Sequence, residues 1–136
     1  MRYLILALPL CLTACHKPAE PPPTSASATA PVAADDGWNG KYEGDLRIEI
    51  TGPAGAHQVS LLAATQDCTG DIGLADKGVK AITDGANLIV DAQVGQDACK
   101  VTLSRDGDKV TAVETSPCTA FHGATCSFNG TAMRIR

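Results

Sequence analysis

Apolar and polar residues alternate with a period of two through most of the chain beyond residue 38. Leu46, Ile48 and Ile50, for example, alternate with charged residues. This period predicts strands that have one buried side and one solvent-facing side. Residues 40–50 form the first such segment. The other segments, separated by turns that contain Gly, Asp or Pro, are residues 57–65, 68–74, 79–83, 87–93, 99–104, 109–114 and 126–135.

About eight short strands at a spacing of roughly ten residues, with no convincing helix, predict an all-β fold. We expect an antiparallel meander that forms a small barrel or a sandwich. The first strand begins with the pattern Trp38-x-Gly-x-Tyr-x-Gly. We expect it to pair with the last strand, because closing the sheet removes its exposed edges.

The amino-terminal segment has a different pattern. Residues 1–14 combine a basic start with an apolar run that is much shorter than the roughly 20 residues of a membrane-spanning helix. The run ends in Leu12-Thr13-Ala14-Cys15, which resembles the lipobox of bacterial lipoproteins. The resemblance implies that residues 1–14 are a signal peptide and that Cys15 carries the lipid at the start of the mature chain.

Residues 15–36 follow as a tether rich in Pro, Ala, Ser and Thr, a composition that forms no core and is extended where prolines cluster. Residues 37–136 remain as the folded domain. His16, not Asp, follows the lipid-bearing cysteine. In lipoproteins of the enterobacterial type this implies sorting to the outer membrane. We therefore expect a lipid-anchored protein of that membrane whose domain lies in the periplasm.

The lipobox also changes the interpretation of the six cysteines. Cys11 would leave with the signal peptide, and Cys15 would carry lipid. An even remainder in an exported protein predicts disulfides. The cysteines that remain are Cys68, Cys99, Cys118 and Cys126.

Four cysteines allow three pairings. We favour Cys118–Cys126, because the loop between them is short and Pro117 and Gly123 suit a turn, and this choice leaves Cys68–Cys99. The alternative to disulfides is a metal site. No closely spaced cysteine pair of the zinc-binding type occurs, so we expect no bound metal.

The composition argues against several classes of function. The net charge is −4 and no basic cluster occurs, so nucleic acid is not an expected partner. Aromatic residues make up 4% of the chain, too few for a saccharide groove lined with stacked rings. The chain has no G-x-S-x-G motif, and disulfides and lipid would occupy its cysteines. We therefore expect a protein without enzymatic activity or cofactor.

The sequence offers one candidate binding element, formed by Phe121, His122 and Gly123 in the loop 118–126. A disulfide would stiffen this loop, so that little conformational entropy is lost when Phe121 and His122 contact a partner. The alternative interpretation is that Phe121 packs onto the domain and His122 is simply exposed.

A lipobox, a tether and a disulfide-linked β domain together resemble small periplasmic lipoproteins, among them the membrane-bound lysozyme inhibitors and the immunity lipoproteins. The Ser-Gly-x-x-Tyr motif of those inhibitors is absent, so the resemblance is one of architecture. It implies a binding module for an envelope protein, with lysozyme-like or toxin hydrolases of the cell wall as candidate targets. The alternative is a structural or small-ligand-binding envelope lipoprotein that uses the mouth of a barrel.

Overall fold

A computed structural model describes residues 35–65 and 67–136 of the chain. The signal segment, Cys15 and the tether as far as residue 34 lie outside the described residues. The described part contains nine strands and one four-residue helix. They are β1 (Gly40–Gly44), β2 (Arg47–Thr51), β3 (Gln58–Thr65), β4 (Cys68–Ile72), β5 (Val79–Asp84), β6 (Asn87–Val94), β7 (Asp97–Asp106), β8 (Lys109–Glu114), α1 (Thr119–His122) and β9 (Gly130–Ile135).

The strands form a closed antiparallel barrel, which confirms the all-β prediction and decides between barrel and sandwich. Neighbouring strands follow the order β2-β1-β9-β8-β7-β6-β5-β3, and β2 pairs with β3 to complete the circle. The first strand pairs with the last, as expected, with Lys41 opposite Ile135. Among the described residues, no helix is long and apolar enough to span a bilayer.

The first predicted strand is in fact two strands joined by a tight turn at Asp45 and Leu46. Glu43 pairs with Arg47 across this turn, and Asp45 accepts hydrogen bonds from the main-chain N–H and the hydroxyl group of Thr131. The alternation did not reveal the turn because Leu46 remains buried and therefore keeps the period of two.

The interior of the barrel is a packed core. Eight strands enclose a space that apolar side chains are able to fill, and these side chains are almost completely buried. The largest of them are Tyr42, Phe128, Ile48, Ile50, Leu61, Ile72, Leu88, Leu103, Val59, Val90 and Val101. The barrel is therefore held together by the apolar side chains that pack in its interior.

The strands β4 and β5 together take the place of one barrel strand. Both pair with β3, β4 opposite residues 61–65 and β5 opposite Gln58 and Val59, while β2 pairs along the other edge. The chain leaves this strand position at Gly73 and returns to it at Gly78. The N–H of Gly78 donates a hydrogen bond of 2.8 Å to the carbonyl oxygen of Gly73. The loop 73–78 thus interrupts a single strand position.

This interruption leaves one gap in the ladder of the described strands. The pairing of β5 with β6 ends at Val90, and β4 pairs with β3 but not with β6. Residues 91–94 of β6 therefore have a strand partner only in β7. We call this opening between β4 and residues 91–94 the seam.

Different segments cover the two ends of the barrel. Residues 115–129, which we call the plug, lie where β4 and β7 begin, and they place Phe128 in the core. Residues 35–39, the strap, lie at the opposite end, where β1 begins and β7 and β9 end, and they place Trp38 in the core. The last strand starts at Gly130 rather than at Cys126 because residues 126–129 belong to the plug.

Candidate binding cleft at the seam of the barrel

Two disulfides attach the plug to the barrel. All four predicted cysteines are paired, but the favoured pairing is wrong: the bridges are Cys68–Cys126 and Cys99–Cys118, with Cα–Cα distances of 5.5 and 4.6 Å. Cys68 begins β4 and Cys99 lies in β7, so the bridges attach the plug on both sides of the seam. The short loop between Cys118 and Cys126 is not closed by a bridge because its ends reach different strands.

The helix α1 packs tightly against β4 at Gly70. A Cβ atom on Gly70 would overlap with the Cβ atom of His122, so only glycine permits this approach. The helix ends at Gly123, which has a φ of 72° and donates its N–H to the carbonyl of Thr119. Gly70 lies within the alternating segment 68–74, and nothing in the sequence indicates which segment packs on it.

His122 is a buried part of the plug, so the alternative expectation that its side chain is simply exposed is wrong. Its Nε2 atom lies 2.8 Å from Glu114 Oε1, and its Nδ1 atom lies 2.5 Å from the carbonyl oxygen of Gly123. Both partners are hydrogen-bond acceptors, and they face the two ring nitrogens of His122. Its ring also packs edge-on against Phe128, at 5.1 Å between centroids. These contacts make His122 a structural residue of the plug.

Glu114, Cys118 and His122 bring three ligand-type atoms within 4.8 Å of one another. Each already takes part in a bond or contact that holds the plug. The sulfur of Cys118 is bonded to Cys99, and Glu114 Oε1 also accepts the main-chain N–H of Phe128. A thiolate ligand would require reduction of the disulfide, so this group serves to hold the plug together.

Phe121 is the predicted site residue that does reach a surface depression. It is half-buried and lines a cleft of about 570 Å³ at the seam. Ile72 of β4, Val79 of β5 and Ala92 and Val94 of β6 contribute apolar side chains to the lining beside it. Gly123 lies exposed at the turn of the plug. The lining residues are Asp71, Ile72, Gly73, Ala75, Asp76, Val79, Asp91, Ala92, Gln93, Val94 and Phe121.

The charged side chains of the cleft lining are all carboxylates: Asp71, Asp76 and Asp91. Lys100 approaches Asp91 to 3.7 Å, but both side chains are nearly half exposed, and such a pair contributes about 0–1 kcal/mol. Asp91 therefore stays available to a cationic group from outside. Sequence reasoning did not single out these acids because they lie on two strands and one loop that only the fold brings together.

The strap forms a polar contact with the barrel that the sequence did not predict. The Nε2 atom of His57, which is completely buried, lies 2.8 Å from Asp36 Oδ2. Partial burial acts to raise the pKa of Asp36, but hydrogen bonds from His57 and the Trp38 N–H, with attraction from His57, outweigh it and lower that pKa. Asp36 was expected to belong to the tether, yet its side chain contacts the barrel.

Comparisons of this chain with protein-family models, curated proteins and solved structures give no match. The case for a function therefore rests on the geometry of the plug and the cleft.

Proposed function

We propose that this chain is a non-enzymatic binding module of the bacterial envelope, anchored in the outer membrane by a lipid on Cys15, with its barrel in the periplasm. The observation that carries the proposal is the cleft of about 570 Å³ at the seam, where apolar walls and three carboxylates lie beside a plug held by two disulfides. A rigid rim of this kind loses little entropy on binding.

The packed interior favours a protein partner over a small ligand held inside the barrel. Core side chains such as Leu61, Val90 and Val101 are fully buried and fill the space that a ligand would need. Recognition then falls to the outer surface, where the seam cleft joins apolar and charged groups.

A peptidoglycan hydrolase is the target class that we propose for this module. Such an enzyme acts on an anionic wall, and cationic groups that contact the wall are complementary to Asp71, Asp76 and Asp91. Binding at the seam would block part of the enzyme surface and slow lysis.

The anchor is tested by metabolic labelling with radioactive palmitate. We expect the label on the full chain, its loss in Cys15→Ser, and accumulation of the precursor when globomycin blocks lipoprotein signal peptidase. A chain that is processed normally in globomycin and takes up no palmitate contradicts the anchor. Sucrose-gradient separation of the two membranes then tests the proposed outer-membrane location.

The binding function is tested with the purified full chain in detergent micelles. We expect it to slow the clearing of a cell-wall suspension by at least one member of a lysozyme panel or by a hydrolase of the same bacterium. A photo-crosslinking residue at Val94, which is 50% exposed in the cleft, should join the chain to that enzyme. The matched control carries the crosslinker at Ile82, which is 61% exposed and absent from the cleft lining. If no hydrolase is slowed and Val94 joins no envelope protein, the proposal is wrong.

A further inference from the structure

The seam exposes one edge of β6. Residues 91–94 pair with residues 97–100 of β7 on one side, but the pairing with β5 ends at Val90 on the other. A strand carries N–H and C=O groups toward both neighbours, so this segment presents an unpaired edge to the cleft. Exposed edges of this kind accept extended peptides as an additional strand.

We propose that the seam cleft binds an extended segment of the partner protein as an added strand along residues 91–94, and that this segment alternates apolar and cationic side chains. This inference rests on the proposed function, since it specifies the part of the partner that is recognised.

The dimensions of the edge fix the length of the segment. Strands rise by about 3.3 Å per residue, so the four residues 91–94 match an extended segment of about 13 Å. One end of this edge is limited by β5 at Val79 and the other by the hairpin that joins β6 to β7. The core of the recognised segment is therefore about four residues long.

The two sides of the cleft determine the pattern of that segment. Alternate residues of an added strand would point inward and contact Ile72, Val79, Ala92 and Phe121, which all line the cleft. Ala92 is small, so branched aliphatic side chains have room above it. This side of the added strand is therefore apolar.

The residues between them point outward and would lie between the carboxylates of Asp71 on β4 and Asp91 on β6. The cleft lining itself contains no Lys or Arg, and the exposed pair that Lys100 forms with Asp91 compensates this charge only weakly. Cationic side chains at these positions complement them, whereas acidic ones are repelled.

Two other occupants, a second copy of this chain and its own tether, fit the cleft less well. A second copy that paired through its own seam would bring its Asp71, Asp76 and Asp91 near the same three carboxylates of the first copy, and repulsion between like charges opposes this pairing. The tether of this chain is rich in proline, and proline has no N–H to donate to a strand edge. A basic segment of another protein fits both the charge and the backbone requirement.

The test uses ¹⁵N-labelled full chain in micelles and three capped hexapeptides. The first alternates Lys and Val, the second replaces Lys by Glu, and the third is the Lys-Val peptide with alternate amides methylated. We expect the first peptide to shift and protect the amides of residues 91–94. The second should show no saturable binding, and the third should bind at least tenfold more weakly because it has lost donors for the ladder.

Matched variants test the charge. Asp71→Asn with Asp91→Asn should weaken binding of the Lys-Val peptide at least tenfold at low salt. Asp84→Asn with Asp106→Asn removes the same charge at the other end of the barrel and should leave affinity unchanged. An unaltered amide spectrum away from the substitutions shows that each variant is folded.

Equal binding of the methylated peptide, amide shifts away from the seam, or equal effects of the two double variants would each overturn the added strand. A hydrolase crosslinked at Val94 together with failure of the Lys-Val peptide to bind also contradicts the inference and leaves the proposed function intact. Peptide binding at the seam without any envelope partner contradicts the proposed function instead.

Discussion

The two ends of the barrel are closed by different kinds of interaction. The plug is joined to the barrel by two covalent bridges and by close packing of α1 on Gly70. The strap has no disulfide to the barrel and is held by ion pairing, hydrogen bonds and the packing of the Trp38 indole ring. The disulfides therefore lie where the sheet is incomplete, and weaker contacts are sufficient where its ladder is continuous.

Arginine side chains supply most of the contacts of the strap. Arg134 donates to the carbonyls of Gly37 and Asn39 and to the Tyr42 hydroxyl, and it lies 4.8 Å from the ring of Tyr42. Arg105 donates to the carbonyl of Gly37 and lies 5.3 Å from the ring of Trp38. These bonds satisfy main-chain groups that belong to no strand, so the strap is ordered without being part of the sheet.

The plug holds the two sides of the seam together, as hydrogen bonds between paired strands do elsewhere in the barrel. At the seam β4 and β6 are not paired, and the bridges from Cys126 to β4 and from Cys118 to β7 hold the two sides through the plug. Reduction is therefore expected to loosen the seam first and to leave the strap in place.

Removal of the disulfides should have the largest effect on stability. With sequence separations of 58 and 19 residues, Cys68–Cys126 and Cys99–Cys118 stabilise the fold by about 4 and about 3 kcal/mol in the chain-entropy model. Urea unfolding of the two Cys-to-Ala double variants measures these losses. Peptide mapping of the unreduced protein is the direct check, and a Cys118–Cys126 fragment would disprove the pairing.

Replacement of Arg134 by Lys should have the next largest effect, about 2–3 kcal/mol, because an ammonium group cannot reproduce the three directed hydrogen bonds. We expect faster proteolysis at the strap and unchanged hydrogen exchange at the plug. Arg136→Lys is the control, since that side chain is 91% exposed. Equal loss of protection at both ends would show that the two closures are not independent.

The substitution Gly70→Ala should affect only the plug, at a cost of about 1–3 kcal/mol, because the added Cβ overlaps with His122. Hydrogen exchange of residues 119–123 should accelerate while that of the strap stays the same. Thr69→Ala, an exposed position in the same strand, should be nearly neutral. If Gly70→Ala has no effect on stability, the helix does not pack on β4 as described.

The smallest effect, about 1–2 kcal/mol, is expected for Asp36→Asn, which weakens a charged hydrogen bond. The lowered pKa of Asp36 means that its contribution is present above about pH 4 and is lost as the pH falls through the folded-state pKa. Urea unfolding between pH 2.5 and 7 should therefore show a flatter acid limb for the variant. The stability of the variant will still fall somewhat at acid pH, because hydrogen bonds from Thr131 lower the pKa of Asp45 as well. A variant curve parallel to the wild-type curve would contradict the role of Asp36.

Much of the barrel could be predicted because its strands are buried on one side only. The alternation of Leu88, Val90 and Ala92 with polar residues locates β6, and the same rule locates β3, β7 and β8. The turn at Asp45 was missed because it preserves that alternation. The plug was misjudged because residues 115–129 have no period and fold against partners that are distant in sequence.

The candidate site was less accessible to sequence reasoning than the fold. Phe121 was named for its position between cysteines, yet its neighbours in the cleft, Ile72, Val79 and Ala92, come from three other strands. His122 was chosen as a displayed residue, but its ring is buried against Glu114 and Phe128. These contacts join residues that are distant in sequence, and no regular spacing along the chain indicates which of them meet.

The sequence by itself determined the all-β class, most strand positions and the presence of two disulfides, because burial on alternate sides and an even number of cysteines are local or compositional properties. Tertiary structure decided which cysteines pair, where the barrel stays open and which side chains meet there. These outcomes depend on strand order and register, which bring residues up to 97 positions apart, as in Arg134 and Gly37, into one hydrogen bond. The seam is the clearest case, since it exists only because β4 and β5 occupy one strand position and β4 leaves β6 unpaired.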